Sequence, residues 1–241
     1  MSGARRIAIS GSTGGLGRGI AQRFHDAGDS LLLIDTNRAA LDELRAAHFP
    51  RADILICDQT HSSDIDAFSV AASDVDVFIN NAAMTLRKPL EEMSHTEVRL
   101  VLDTNAAGPI AMAIAAARGM LMRKSGVIVN VTSQLAFKPT PGRATYGAAK
   151  AALVHFTRTA ASEWIGRGVR VVGIAPGPID TPMVRELLAT PEGTEKLMAG
   201  MPIGRLMSVS EIAESIHFLT SPAASGIVGE VLVADGGNLL T

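Results

Sequence analysis

The chain has a single tyrosine, Tyr146, in the stretch ATYGAAK (144–150), and Lys150 follows it at i+4. A phenol and an ammonium at that spacing project from one face of a helix. Free tyrosine has a pKa of about 10 and is a poor base near neutral pH. A nearby positive charge lowers such a group by about 1–3 units, so Lys150 would help to make Tyr146 a proton acceptor. Ser133 stands thirteen residues upstream, where its hydroxyl can hold a substrate oxygen. A solvated helix face explains a lone Tyr-x-x-x-Lys equally well.

A second group, near the N-terminus, indicates what the proton transfer would be coupled to. SGSTGGLG (10–17) sets Gly11, Gly15 and Gly17 directly after a short apolar run. Glycine tolerates the backbone angles of a tight strand-to-helix turn, and the helix N-terminus that follows attracts phosphate. The spacing is G-x-x-x-G-x-G rather than G-x-G-x-x-G, so the dinucleotide fingerprint is not met literally. Its place after the first strand of a parallel sheet is what points to a pyrophosphate.

Asp35 ends the second apolar run, eighteen residues after Gly17. A carboxylate there accepts hydrogen bonds from the adenosine ribose hydroxyls and repels a 2′-phosphate. No lysine or arginine lies between Gly11 and Gly17, so NAD is expected over NADP. Arg38 complicates that expectation, although it also reads as the opening of an exposed helix. Asp58, at the end of the third run, either reaches the adenine amino group or caps a turn.

These residues need a scaffold, and the sequence supplies its rhythm. The runs RRIAIS (5–10), SLLLID (30–35), ADILICD (52–58), VDVFIN (75–80), GVIVNVT (126–132), GVRVVGI (168–174) and EVLVAD (230–235) lack apolar–polar alternation. Such strands suit a sheet buried on both faces. Helical stretches fall around 16–27, 38–48, 62–72, 94–123, 144–166 and 208–220. The expectation is an α/β fold: a Rossmann-type doubly wound seven-stranded parallel sheet with helices on both faces, in one domain over 1–241. Residues 176–207 interrupt the rhythm with five prolines and four methionines. A connection that long is a surface insertion or is functional, and a substrate lid over about 177–207 is expected here.

Composition narrows the functional classes. Hydrophobic residues make up 47% and charged residues 19% of the chain, which excludes global disorder. A net charge of −2 gives no electrostatic case for nucleic acid or an anionic membrane. Cys57 is the only cysteine, so no intrachain disulfide forms and a reducing compartment is expected. Six histidines lie without ligand spacing, so no metal is expected. The first residues lack a signal-peptide core. The apolar run Ala106–Ala117 contains Gly108 and Pro109 and reads as a buried helix rather than a membrane span. A cytoplasmic protein is expected.

In chain order, SGSTGGLG, Asp35, Asp58, NNAA (80–83), Asn105, Ser133, Tyr146, Lys150, PGPIDT (176–181) and VGEVLVADGG (228–237) resemble the short-chain dehydrogenase/reductase family from Ile7 to Asn238. The resemblance implies that Tyr146 is the general acid/base, that Lys150 lowers its pKa and binds the nicotinamide ribose, and that Ser133 positions the substrate oxygen. Asn105, otherwise an unfavourable helix residue, would anchor a water relaying protons from Lys150 to solvent. Leu16, Asn81, Ala82, Pro176 and Gly177 would contact the cofactor, and Thr181 with the Ile179 backbone would hold its carboxamide. Ala83 and Ala175 depart from the glycine and asparagine commoner at those places, and neither removes a reacting group.

The resemblance also places Met84, Thr85, Gln134, Leu135, Phe137, Arg143, Pro178 and Met183 around the substrate pocket. Most are apolar, which suits a ring or a short carbon chain. Arg143 either pairs with a substrate carboxylate or phosphate or is solvated. A homotetramer is implied, with the helices around 94–123 and 144–166 and the last strand between subunits. The implied reaction is reversible hydride transfer between NAD(H) and a secondary alcohol (polyol, cyclic alcohol or hydroxy acid) or its ketone. Two other readings remain. One is an NADPH-dependent 3-oxoacyl thioester reductase, against which Asp35 speaks. The other is a non-catalytic dinucleotide sensor, which would be expected to lose part of the Asn105–Ser133–Tyr146–Lys150 set.

Overall fold

Strands that are apolar on both faces must be covered on both, and the chain does this by alternating strand and helix. The computed structural model describes residues 4–181, 184 and 198–241. Its strands are β1 (Arg6–Ser10), β2 (Ser30–Asp35), β3 (Asp53–Ile56), β4 (Val77–Asn80), β5 (Gly126–Val131), β6 (Val169–Pro176) and β7 (Val231–Ala234). They form one seven-stranded sheet in the order β3-β2-β1-β4-β5-β6-β7, and every pairing is parallel. The doubly wound sheet expected from the sequence is therefore the fold.

Among the described residues the helices are α1 (Gly15–Asp26), α2 (Arg38–His48), α3 (Ser62–Ala71), α4 (His95–Leu102), α5 (Gly108–Arg123), α6 (Ala144–Trp164) and α7 (Val209–Thr220). Successive strand residues face opposite sides. Ile7 and Ile9 of β1 pack with Phe24 of α1, Leu41 of α2 and Ile216 of α7. Ala8 packs on the other side with Phe68 of α3, Met112 of α5 and Trp164 of α6.

One element departs from expectation. The helix over 94–123 is not continuous: a π-turn at Asp103–Ala107 separates α4 from α5. Pro109 offers no N–H to the Asn105 carbonyl, and its ring crowds that carbonyl. The Asn105 side chain also donates to Val101 O at 2.9 Å, engaging a carbonyl of the preceding turn. By length and apolar composition the helical stretch His95–Arg123 is able to cross a membrane. Here it lies against the sheet, with Met112, Ala113 and Ala116 inaccessible to water.

Two features of the topology position the site. Between β1 and β4 the strand order reverses direction, joined by the pairs Ile7↔Val77, Ala8↔Phe78 and Ile9↔Ile79. In open α/β sheets ligands bind outside the carboxyl ends of the strands at such a reversal. The long connection after β6 also has its two ends fastened together. Ile179 bridges to Met207, Met207 N donates to Pro178 O at 3.0 Å and Asp180 N donates to Met207 O at 2.8 Å. Met183 and most of the expected lid lie outside the described residues.

Candidate active site

At the first strand-to-helix turn, space decides the residue types. Gly11 has φ +66°, and a Cβ on it would lie 2.8 Å from the Ala82 Cα. A Cβ on Gly17 would lie 2.1 Å from the Gly11 carbonyl oxygen. Gly15 opens α1, whose first turn carries no acidic side chain and whose N-cap, Gly14, has no side chain to cap it. The free N–H groups of that turn therefore offer themselves to an anion.

A cleft of about 610 Å³ runs from this turn past Asp35 and Asp58 to Asn81, Ala82, Ala83, Met84 and Thr181. Gly11, Gly15, Leu16 and Gly17 line it as well, whereas Pro176, Gly177 and Ile179 do not. Glycine cradle, bare helix terminus and carboxylate fit a dinucleotide by their chemistry and by the space they leave.

Asp35 is tied to the turn that it faces. Its Oδ2 accepts from Thr13 N at 3.1 Å and Thr13 Oγ1 at 2.7 Å. Its Oδ1 accepts from Thr36 N at 2.9 Å and Asn37 N at 3.3 Å. Arg38 pairs with Asp42 one turn along its own helix at 2.7 Å. Asp58 lines the cleft and also caps a turn, accepting from Thr60 N at 2.9 Å and Thr60 Oγ1 at 2.7 Å. Against partial burial, the Thr60 hydrogen bonds and nearby His61 hold its carboxyl below the usual range.

Sequence reasoning missed two residues that fasten this half of the site. Ser10 Oγ accepts from Asn81 N and Ala82 N, each at 3.0 Å. Asn81 Nδ2 in turn donates to Ser10 O at 3.0 Å and Gly11 O at 3.2 Å, closing β4 onto the turn. Buried Gln59 donates to Thr104 O at 2.6 Å and Ala82 O at 3.3 Å, linking the end of β3 to the π-turn. The available signal was position: each polar residue follows an apolar strand at its carboxyl end.

At the other half, Ser133 follows β5 and opens a short 3-10 turn, its Oγ accepting from Leu135 N at 3.1 Å. α6 brings Tyr146 to it. Burial pushes the Tyr146 phenol up, while a hydrogen bond with Ser133 and the charge of Arg143 pull it down; the net direction is upward. Lys150 Nζ lies 5.8 Å from the Tyr146 ring centre and donates instead to Val131 O of β5 at 2.9 Å. Burial lowers the Lys150 ammonium to about 8, which lets it exchange a proton near neutral pH.

The remaining residues sort by contact. Asn105 is buried in the π-turn, and its Oδ1 accepts from Met84 N at 3.1 Å. Arg143 donates to the Thr85 hydroxyl. Gln134 is buried, and its side-chain oxygen has no partner among the described residues. Thr181 Oγ1 turns back to Ile179 O at 3.4 Å. Gly177 lies where a Cβ would come 2.7 Å from the Asp235 Cα of the following segment.

A family model described as Enoyl-(Acyl carrier protein) reductase matches residues 11–238. Gluconate 5-dehydrogenase of Gluconobacter oxydans (strain 621H) is 33% identical over 98% of this chain and 95% of its own length. A 3-oxoacyl-(acyl-carrier-protein) reductase of Chlamydia muridarum is 32% identical over 95% of each. Among solved structures, a Beutenbergia cavernae protein with NADP bound at low occupancy superposes with a TM-score of 0.92. It is 33% identical, covers 100% of this chain and 99% of its own, and is provisionally assigned as an NAD(P)-dependent gluconate 5-dehydrogenase.

Proposed function

The chain belongs to the short-chain dehydrogenase/reductase family and is an oxidoreductase of CH–OH groups, and on that premise we propose that it interconverts a secondary alcohol and its ketone with NAD(H). One observation carries the reading: the phenol of Tyr146, which the Ser133 hydroxyl acts on, stands beside buried Lys150 at the carboxyl edge of β5. Bound NAD would supply the hydride acceptor, held by the glycine turn, Asp35, Asp58, Asn81, Ala82 and Thr181. Ser133 holds the substrate oxygen, and Tyr146 takes the hydroxyl proton in oxidation and returns it in reduction. Lys150 passes protons onward through a water on Asn105. Gln134 and Arg143 contact the substrate.

Asp35 supports NAD over NADP, because Arg38, the cation that follows it at the start of α2, is engaged by Asp42. We place the reaction in the cytoplasm, consistent with a lone buried cysteine. One domain over 1–241 would carry the site, and a substrate lid over about 177–207, most of it outside the described residues, would complete it. A homotetramer is supported by the apolar residues exposed on β7 and α5, such as Leu232, Val233 and Ile114.

The test is a panel of polyols, cyclic alcohols and hydroxy acids, each incubated with NAD and with NADP while nicotinamide absorbance is followed. Faster turnover with NAD is the expected result. A second reading, an NADPH-dependent 3-oxoacyl thioester reductase, draws on the similarity to the reductase of Chlamydia muridarum. Turnover confined to NADPH and acyl thioesters would replace the first reading with it.

A further inference from the structure

Two loops converge beside Tyr146. One follows β4 and carries Thr85, Arg87 and Lys88; the other precedes α6 and carries Gly142 and Arg143. Lys88 N donates to Gly142 O at 3.1 Å. Gly142 has φ +75°, and a Cβ on it would meet the Arg87 side chain at 3.3 Å. This contact brings the stem of Arg87 to the residue before Arg143, and the charge of Arg87 acts on Arg143.

The charges are not balanced within the cluster. Lys88 is neutralised by Glu97, 3.0 Å from its ammonium. Arg143 and Arg87 have no carboxylate partner among the described residues, and the side chain of Arg143 is held only by the uncharged hydroxyl of Thr85. Glu91 shares the outer groove with Arg87 without bridging to it. Arg143 is also the N-cap of α6, whose first turn contains no acidic residue, so the helix terminus adds to the positive potential. Burial further disfavours the Arg143 charge. A partly buried, unpaired guanidinium beside a second cation is unfavourable by itself and is relieved by an anion.

We infer that Arg143, Arg87 and the Thr85 hydroxyl form a carboxylate subsite, so that the preferred substrates are hydroxy acids and the corresponding oxo acids rather than neutral alcohols. The proposal rests on the dehydrogenase reading above and narrows its substrate class. Arg143 lies three residues before Tyr146, nearly one helical turn away. It therefore anchors the substrate at one end while Ser133 and Tyr146 hold the reacting oxygen. A planar fork of donors suits a carboxylate.

The experiment compares kcat/KM for short linear and cyclic hydroxy acids with their methyl esters, using the wild-type chain, Arg143→Gln and Arg87→Gln. The wild type should prefer the acid by about 10- to 100-fold, the scale of hydrogen bonds to a charged group. Each substitution should shrink that ratio, mainly through KM for the acid. Equal use of acid and ester by the wild type, alongside NAD-linked turnover of both, overturns the subsite and leaves the dehydrogenase standing. Equal losses on acid and ester in Arg143→Gln, with no effect of Arg87→Gln, also overturn it, because Arg143 then serves only Tyr146. Silence across the panel removes both readings.

Discussion

The two halves of the sheet's carboxyl edge hold their polar groups on different terms. Around the glycine turn, Asp35 accepts four hydrogen bonds from backbone N–H groups and a threonine hydroxyl. Around α6, burial acts against the protein's own charges: the phenol of Tyr146 is pushed up, and Lys150 is brought down to about 8. The first half recognises with a carboxylate that is already satisfied. The second keeps a protonated phenol beside a lysine whose own proton is loosely held. Recognition and proton transfer thus place opposite demands on neighbouring parts of one sheet.

The contrast predicts where substitutions hurt. Tyr146→Phe should have the largest effect, lowering turnover by about 10²- to 10⁴-fold, the range for a general acid or base. NADH titration should show binding retained; turnover near the wild-type rate would remove the distinction between the halves.

Lys150→Met sharpens it further, because turnover should fall while stability rises. The Lys150 ammonium has a folded pKa of about 8 against an ordinary 10.5. Between those values the unfolded chain binds a proton that the folded chain does not, so wild-type stability climbs with pH through that window. Below about 8 both states are protonated and the full cost of the buried charge, about 3 kcal/mol, is present. Denaturant unfolding should find the variant more stable at pH 7, with the gap closing toward pH 10.5. A gap independent of pH would break the assignment.

At the binding half, Gly17→Ala should cost about 1–3 kcal/mol, typical of overpacking, since its Cβ meets the Gly11 carbonyl. Thermal unfolding and NADH affinity should both report the loss. The smallest effect is expected for Asp35→Ser. It should narrow the NAD over NADP preference in kcat/KM by about tenfold, near one charged hydrogen bond. An unchanged ratio would mean that Asp35 serves the turn alone.

Much of this was legible because the signals are local. Strands buried on both faces need unbroken apolar runs, so β1, β2 and β6 stood out without alternation. Asp35 and the glycines were readable from their place after a strand. The π-turn was not, because one widened turn leaves no mark in the apolar content of 94–123. Ser10 and Gln59 were missed since their partners lie 71 and 45 residues away along the chain. The sequence spacing put Lys150 beside Tyr146, yet the carbonyl that claims its ammonium belongs to β5, nineteen residues earlier. The pairing of Arg87 with Arg143 depends on one backbone contact between loops, which no periodicity announces.

The reversal of strand order between β1 and β4 has a consequence for descent. Asp35 ends β2 and Arg143 lies beyond β5, and three strand spacings, roughly 14 Å, separate those two strands. Substitutions at such range usually add rather than interact. Coenzyme preference and substrate preference are thus separately heritable traits: a lineage with this sheet can exchange one and keep the other.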